Sequence, residues 1–247
     1  MCAETQLHDL PNESSAKSLL PNPSHRTFVC DAVVAASALG AALTPHAASA
    51  ASTLNVNVGA PAAWDLSWLR RLKGTTDRAL FDWPMLGDAA DPQILWLAER
   101  YLQNCTAAYG ESYYRAAVVL NIRTQAVPAA LTDDLRERYA LGIEYQTNDP
   151  FTATPATRNP FWHDGPKPAR GVGTTSLAKF VERGAIILVC DFALGHLAKR
   201  LATKKLRDEA EVHAELRNGL VPGAYPVSSG VFGMAKAQNA GCALVKL

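Results

Sequence analysis

From Trp64 onward the sequence predicts a three-layer α/β/α sandwich with a mainly parallel sheet of about five strands. Three observations predict it. Short apolar runs alternate with segments whose apolar residues recur every three or four positions, the order that produces a parallel sheet with right-handed crossovers. The runs Ala116–Ile122 and Ala185–Cys190 are almost continuously apolar, as strands covered by helices on both faces need to be. The chain has 247 residues, 48% hydrophobic and 19% charged, enough for one domain with a substantial core.

The elements follow in order. Trp64 and Trp68 are four apart and predict a short helix presenting both rings on one face. Ala79–Trp83, ended by Pro84, predicts the first strand. Asp91-Pro92 predicts a helix start, with Asp91 as N-cap. Ile94, Leu97, Ala98, Tyr101, Leu102, Cys105 and Ala108 then keep helical spacing up to Gly110, which makes Cys105 a packed core thiol. Ala116–Ile122 is the second strand, and Pro128 to Tyr139 reads as a short helix with Leu131 and Leu135 on one side.

Gly142 to Gly173 is rich in Pro, Gly, Thr and Asn and has no periodicity, which points to a functional loop. Its aromatics Phe161 and Trp162 argue for an ordered one. Leu177–Arg183 is a helix stopped by Gly184, and Ala185–Cys190 is the third strand. A helix follows with Leu194, Leu197, Ala198 and Leu201 on one face, then another from Asp208 to Gly219 with Val212 and Leu216 inward. Ala224–Val227 is a fourth strand, which Pro226 confines to pairing on one side. Ser229-Gly230 opens a helix that runs to Gly241, and Cys242–Val245 closes the sheet.

The first fifty residues differ in kind. Arg26 precedes an alanine-rich apolar run from Val33 to Leu43, Pro45 breaks it, and Ala48-Ser49-Ala50 offers a small-x-small cleavage site. Together these predict a signal peptide over 1–50, a linker over 51–63, and a periplasmic or otherwise exported domain over 64–247. The apolar run is too short to span a bilayer, so no membrane span is expected after cleavage. The other reading is an Ala-rich leader of a cytoplasmic protein. His25-Arg26-Thr27-Phe28 looks like a twin-arginine signal with His25 in the first arginine's place, and the general secretory route stays open. Cys30 precedes the apolar run and is badly placed for a lipid anchor.

Of 24 basic and 23 acidic residues, two and four lie in 1–50, leaving 22 and 19. Neither basic runs nor acidic tails appear, so no nucleic-acid partner is expected. Cys105, Cys190 and Cys242 remain after cleavage, an odd number that cannot pair completely.

In an open parallel sheet, ligands bind beyond the carboxyl ends of the strands. Asp82, Arg123, Cys190, Asp191, Ser228 and Ser229 all fall there. Cys190, at a helix N-terminus and within reach of Arg123, is in a place that favours thiolate, and is the candidate nucleophile or sulfur carrier. Its other reading is a small hydrophobe filling a strand end. Arg123 either neutralises an anionic substrate or thiolate, or pairs with Asp82 or Asp191. Ser228 and Ser229 are candidates for substrate binding, and they read as a helix cap more than as nucleophiles, since no Gly-x-Ser-x-Gly elbow surrounds them. In the aromatic loop Asn159, Phe161 and His163 are candidates for the pocket wall, with His163 suited to proton transfer, whereas His196 reads as partly exposed. His163 and His196 lack metal-ligand spacing, and no Gly-rich nucleotide fingerprint is present, so neither metal nor cofactor is expected.

Three stretches carry a resemblance: Arg158-Asn159-Pro160-Phe161-Trp162-His163, Leu220-Val221-Pro222-Gly223, and Val227-Ser228-Ser229-Gly230-Val231-Phe232 continuing through Ala237-Gln238 to Gly241-Cys242. With the strand Gly184–Cys190 leading into a helix, the region from about Trp64 to the C-terminus resembles the exported branch of the DsrE/DsrF-like proteins of sulfur metabolism. The resemblance implies their α/β fold. It implies a cysteine at the end of a central strand, here Cys190, that carries persulfide sulfur, and assembly as a homo-oligomer or with a partner in a sulfur relay. The alternative is a non-enzymatic periplasmic small-ligand-binding or assembly protein of the same fold.

Overall fold

The structure, a computed structural model, describes residues 64–110, 115–166 and 176–246. The expected signal peptide and linker, and the end of the irregular stretch, lie outside the described residues. The elements run α1 (Trp68–Arg71), β1 (Asp77–Trp83), α2 (Gln93–Tyr109), β2 (Ala116–Ile122), a 3-10 helix (Thr124–Ala130), α3 (Asp133–Arg138), α4 (Leu141–Glu144), α5 (Leu177–Glu182), β3 (Ile186–Cys190), α6 (Asp191–Lys205), α7 (Glu209–Asn218), β4 (Ala224–Val227), α8 (Gly230–Asn239) and β5 (Ala243–Val245). The five strands form one all-parallel sheet in the order β4-β3-β2-β1-β5. This is the α/β/α sandwich that the alternating pattern predicts.

Strand side chains alternate between the two layers, as the two-residue period requires. Ala79, Phe81 and Trp83 of β1 join Val118, Leu120 and Ile122 of β2 in the larger core, under α2 to α7. Leu80 and Val119 join Trp68, Leu72 and Ala237 in the smaller core, under α1 and α8. The division follows from handedness. The steps β1→β2→β3→β4 march across the sheet in one direction, so right-handed crossovers put their helices on one face. The return from β4 to β5, beside β1, puts α8 on the other.

That reversal sets the surroundings of Cys190. β3 feeds α6 on one face and β4 feeds α8 on the opposite face, so the chain diverges where Cys190 pairs with Val227. A crevice at the carboxyl ends of strands that part in this way is where open α/β sheets bind ligands. Pro226 lies on the edge strand, where its missing N–H breaks no ladder bond.

The helix stops use glycine where φ must be positive. Gly184 (φ +87°) and Gly241 (φ +87°) each end a helix in a Schellman turn, with Ala185 N–H donating to Phe180 O at 2.8 Å and Cys242 N–H to Ala237 O at 3.0 Å.

Three local expectations are corrected. Helix α1 begins at Trp68, so Trp64 shares no helical face with it; the Trp64 ring lies under the Arg217 guanidinium, 4.7 Å away. Pro92, not Asp91, is the cap residue of α2, and its own side chain makes no cap hydrogen bond. The helix expected over Pro128–Tyr139 is two: the 3-10 helix ends at Ala130, and Leu131 bridges to Leu220 before α3 begins. Arg136 is buried there, its guanidinium donating to Pro128 O at 3.0 Å, and burial pushes its pKa down to about 10. Part of the irregular stretch is also ordered, with α4 at its start and an Asn148–Pro155 bridge.

Candidate functional site

Cys190 is the last residue of β3 and the N-cap of α6. Its side chain is 5% exposed, and Sγ accepts the Ala193 N–H at 3.4 Å. A cap atom must accept one of the helix's first free N–H groups, and here sulfur fills the role usually taken by oxygen. A group so held sits at the positive end of the helix dipole, where negative charge is favoured. Across the crevice Ser229 caps α8, its Oγ accepting the Phe232 N–H at 3.1 Å. The Ser228 carbonyl accepts the Phe192 N–H at 3.3 Å and ties the two helix starts together.

Arg123, the first residue beyond β2, is held by Asp82 in a bidentate pair, Nε to Oδ1 and Nη2 to Oδ2, both 2.7 Å. Asp82 is buried, and Asn121 Nδ2 donates to its Oδ1 at 3.3 Å. The Arg123 stem crosses the start of α8: a Cβ on Gly230 would lie 2.8 Å from both Cβ and Cδ of Arg123, so only glycine fits. The hydrogen bond donated to Asp82 raises the guanidinium above its ordinary pKa against the opposing effect of burial, and the electrostatic influence of Cys190 acts in the same direction. Arg123 and Cys190 therefore lie within electrostatic reach of each other. The reading of Arg123 as a partner of Asp82 is the one the structure shows, and the clamp fixes the cation at the rim.

Asp191 is turned from this pair. Its Oδ1 lies 3.2 Å from His213 Nε2, out of alignment for a hydrogen bond, and 3.8 Å from Arg217 Nε.

A pocket of about 470 Å³ opens beside Cys190. One wall is the first three turns of α6, where Phe192, His196, Lys199 and Arg200 follow one another along a face. Thr124, Gln125 and Tyr145 form the other. Thr124 has φ +48°, a conformation that costs a β-branched residue energy and that clusters at functional sites. Pro84 O holds it there, accepting from Thr124 Oγ1 at 2.5 Å and from the Gln125 N–H at 3.0 Å. Phe192 is 66% exposed and stands edge-on to His196, ring centres 4.6 Å apart.

The structure thus brings Asp82, Arg123, Cys190, Ser228 and Ser229 to one rim, and places the aromatic-loop candidates elsewhere. Asn159 is fully buried, donating to Ala129 O at 2.8 Å and Leu131 O at 2.7 Å, while its Oδ1 accepts the N–H groups of Phe161 and Trp162. Phe161 packs edge-on to Trp83 in the larger core, centroids 5.5 Å apart. His163 Nε2 is 2.8 Å from Asp133 Oδ2. None of the three lines the pocket beside Cys190. His196 is exposed, as its spacing between Leu194 and Leu197 suggests.

Sequence reasoning did not single out Phe192, Lys199, Arg200, Thr124 or Tyr145. The spacing of the α6 residues could have identified one face, but Tyr145 is brought in only by the path of the chain through α3 and α4.

Cys105 and Cys242 are buried free thiols, and burial pushes both up from the ordinary range. Among the described residues no helix is long and apolar enough to cross a membrane, and no three His, Cys, Asp or Glu side chains gather as metal ligands would. No protein-family model and no curated protein matches the chain.

Proposed function

We propose that this chain is an exported DsrE/DsrF-like protein that accepts and carries sulfur on Cys190. The observation that supports this most is the setting of the Cys190 thiol. Sγ receives a backbone N–H at a helix start, borders an open pocket, and lies within electrostatic reach of a clamped arginine. In the transfer step the Cys190 thiolate attacks the terminal sulfur of a donor persulfide, R–S–SH. The Sγ–S bond forms as the donor's S–S bond breaks, the donor leaves as R–S⁻, and the hydrogen stays on the transferred sulfur. No outside oxidant is required. Arg123 offsets the negative charge, and Asp82 acts through it as a positioning residue. The proposed partner is a second copy of the chain or a relay protein that delivers or takes the sulfur.

The test is intact-mass analysis of protein purified from its native compartment. A cut after Ala50 and an increment of one sulfur, lost on reduction and absent in Cys190→Ser, are expected. Unmodified protein after exposure to a persulfide donor would contradict the proposal.

The second reading is a binding protein that uses the same pocket without sulfur transfer. The breadth of the pocket and its apolar lining favour it, since volumes of this size are typical of small-molecule sites. Under that reading Cys190→Ser leaves ligand binding intact.

A further inference from the structure

Resting on Cys190 as the sulfur acceptor, we infer that its substrate is a low-molecular-weight anionic organosulfur compound, bound in the pocket beside α6 with its charge at Lys199 and Arg200. Two features carry this. The pocket has no acidic lining residue, whereas Lys199 and Arg200 stand at its wall. Neither has a carboxylate partner among the described residues; Arg200 instead donates to Tyr145 Oη at 2.5 Å and lies over that ring at 5.4 Å. Farther along, Lys204 near the end of α6 pairs with Glu144, and Arg207, in the turn after α6, pairs with Glu215. Two cations left without carboxylates beside an apolar cavity match an anion with an apolar body.

Geometry sets the size. Helix rise places residue 200 about 15 Å beyond residue 190, and helical side chains lean toward the N-terminus, so the cationic groups stand on the order of 10 Å from Sγ. Phe192 and Leu197 offer apolar surface between them. The ligand is therefore an organic persulfide whose carboxylate or sulfonate is several bonds from its sulfur. A protein persulfide would need no such charge complement within a pocket at that distance from the thiol.

The experiment compares the rates at which Cys190 in the full chain reacts with dithiobis(nitrobenzoate), an anionic aryl disulfide, and with neutral dithiodipyridine. Labelling is assigned by peptide mass, and each rate is divided by that of a free small thiol. The normalised ratio should favour the anion by ~10-fold at low salt and fall as salt rises. In Lys199→Gln/Arg200→Gln it should fall to near one. Both side chains are exposed, so the core is untouched, and Lys199→Gln alone, which spares the Tyr145 contact, should give an intermediate ratio. A normalised ratio near one in the unaltered chain, or one that survives the double substitution, overturns the inference. A persulfide on Cys190 without anion preference would sink this inference and leave the proposed function standing. Anion preference dependent on Lys199 and Arg200 without any persulfide would sink the sulfur-carrier reading instead.

Discussion

Asp82 spends both carboxylate oxygens on Arg123 and lies in the interior, so its removal strands a cation at the rim. Asp82→Asn should cost about 2 kcal/mol, the scale of a hydrogen bond to a charged group, and should slow Cys190 labelling. Urea unfolding and alkylation rates measure the two effects. Gly230→Ala tests the same clamp from the other side. Its new Cβ would lie 2.8 Å from the Arg123 stem, and overpacking of this kind costs roughly 1–3 kcal/mol. A variant as stable as the parent would mean that Arg123 is free to move. These residues were legible in the sequence as a set, since each follows a strand. Their pairing was not: Arg123 had Asp82 and Asp191 as possible partners, and since β2 lies between β1 and β3, strand order leaves both adjacent. The choice is made by α6, whose first residue Asp191 lies beside His213.

At the scale of elements, the strands were the most legible part, because continuous apolar runs between turn residues have few other solutions in a chain of this length. The segment between β2 and β3 was the least legible. Its helices are four to seven residues long, too short for periodicity to declare itself. They are fixed instead by buried polar links such as Asn159 to the Ala129 and Leu131 carbonyls. Helices α3 and α7 are joined through Glu215, which accepts from Tyr139 Oη at 2.6 Å and Arg207 Nη1 at 2.8 Å and also pairs with Arg138. Burial pushes the Glu215 carboxyl up, but the bonds from Tyr139, Arg207 and Arg138 outweigh it and hold the group below its ordinary range. A depressed folded value makes its stabilisation full above the unfolded value of ~4.3, and lost as pH falls through the folded value. The stability difference between the parent and Glu215→Gln should therefore be constant near neutrality and shrink below about pH 4, measured by denaturant unfolding across pH. A difference that does not change with pH would contradict this link. Ser229→Ala, which removes the α8 cap beside the crevice, should cost about 1 kcal/mol in the same assay.

On the scale of the whole molecule, the parallel strands and their two covering layers follow from the alternation of patterns along the chain, and the structure has both. The return of β5 to the β1 edge has no local signal, since a crossover helix reads the same wherever it leads. Yet that return makes α6 and α8 part beyond the ends of β3 and β4, while the pocket beside Cys190 is walled by α6 and by Thr124, Gln125 and Tyr145. The fold sets this thiol apart from the other two by where it stands. All three thiols are buried, and of the three it is Cys190 that borders this pocket and accepts a helix N–H. The most direct measurement is time-resolved labelling of the native protein with a thiol probe near neutral pH, mapped by peptide mass. Cys190 should react at least ~10-fold faster than either of the others. Equal, slow labelling of all three cysteines would contradict the account.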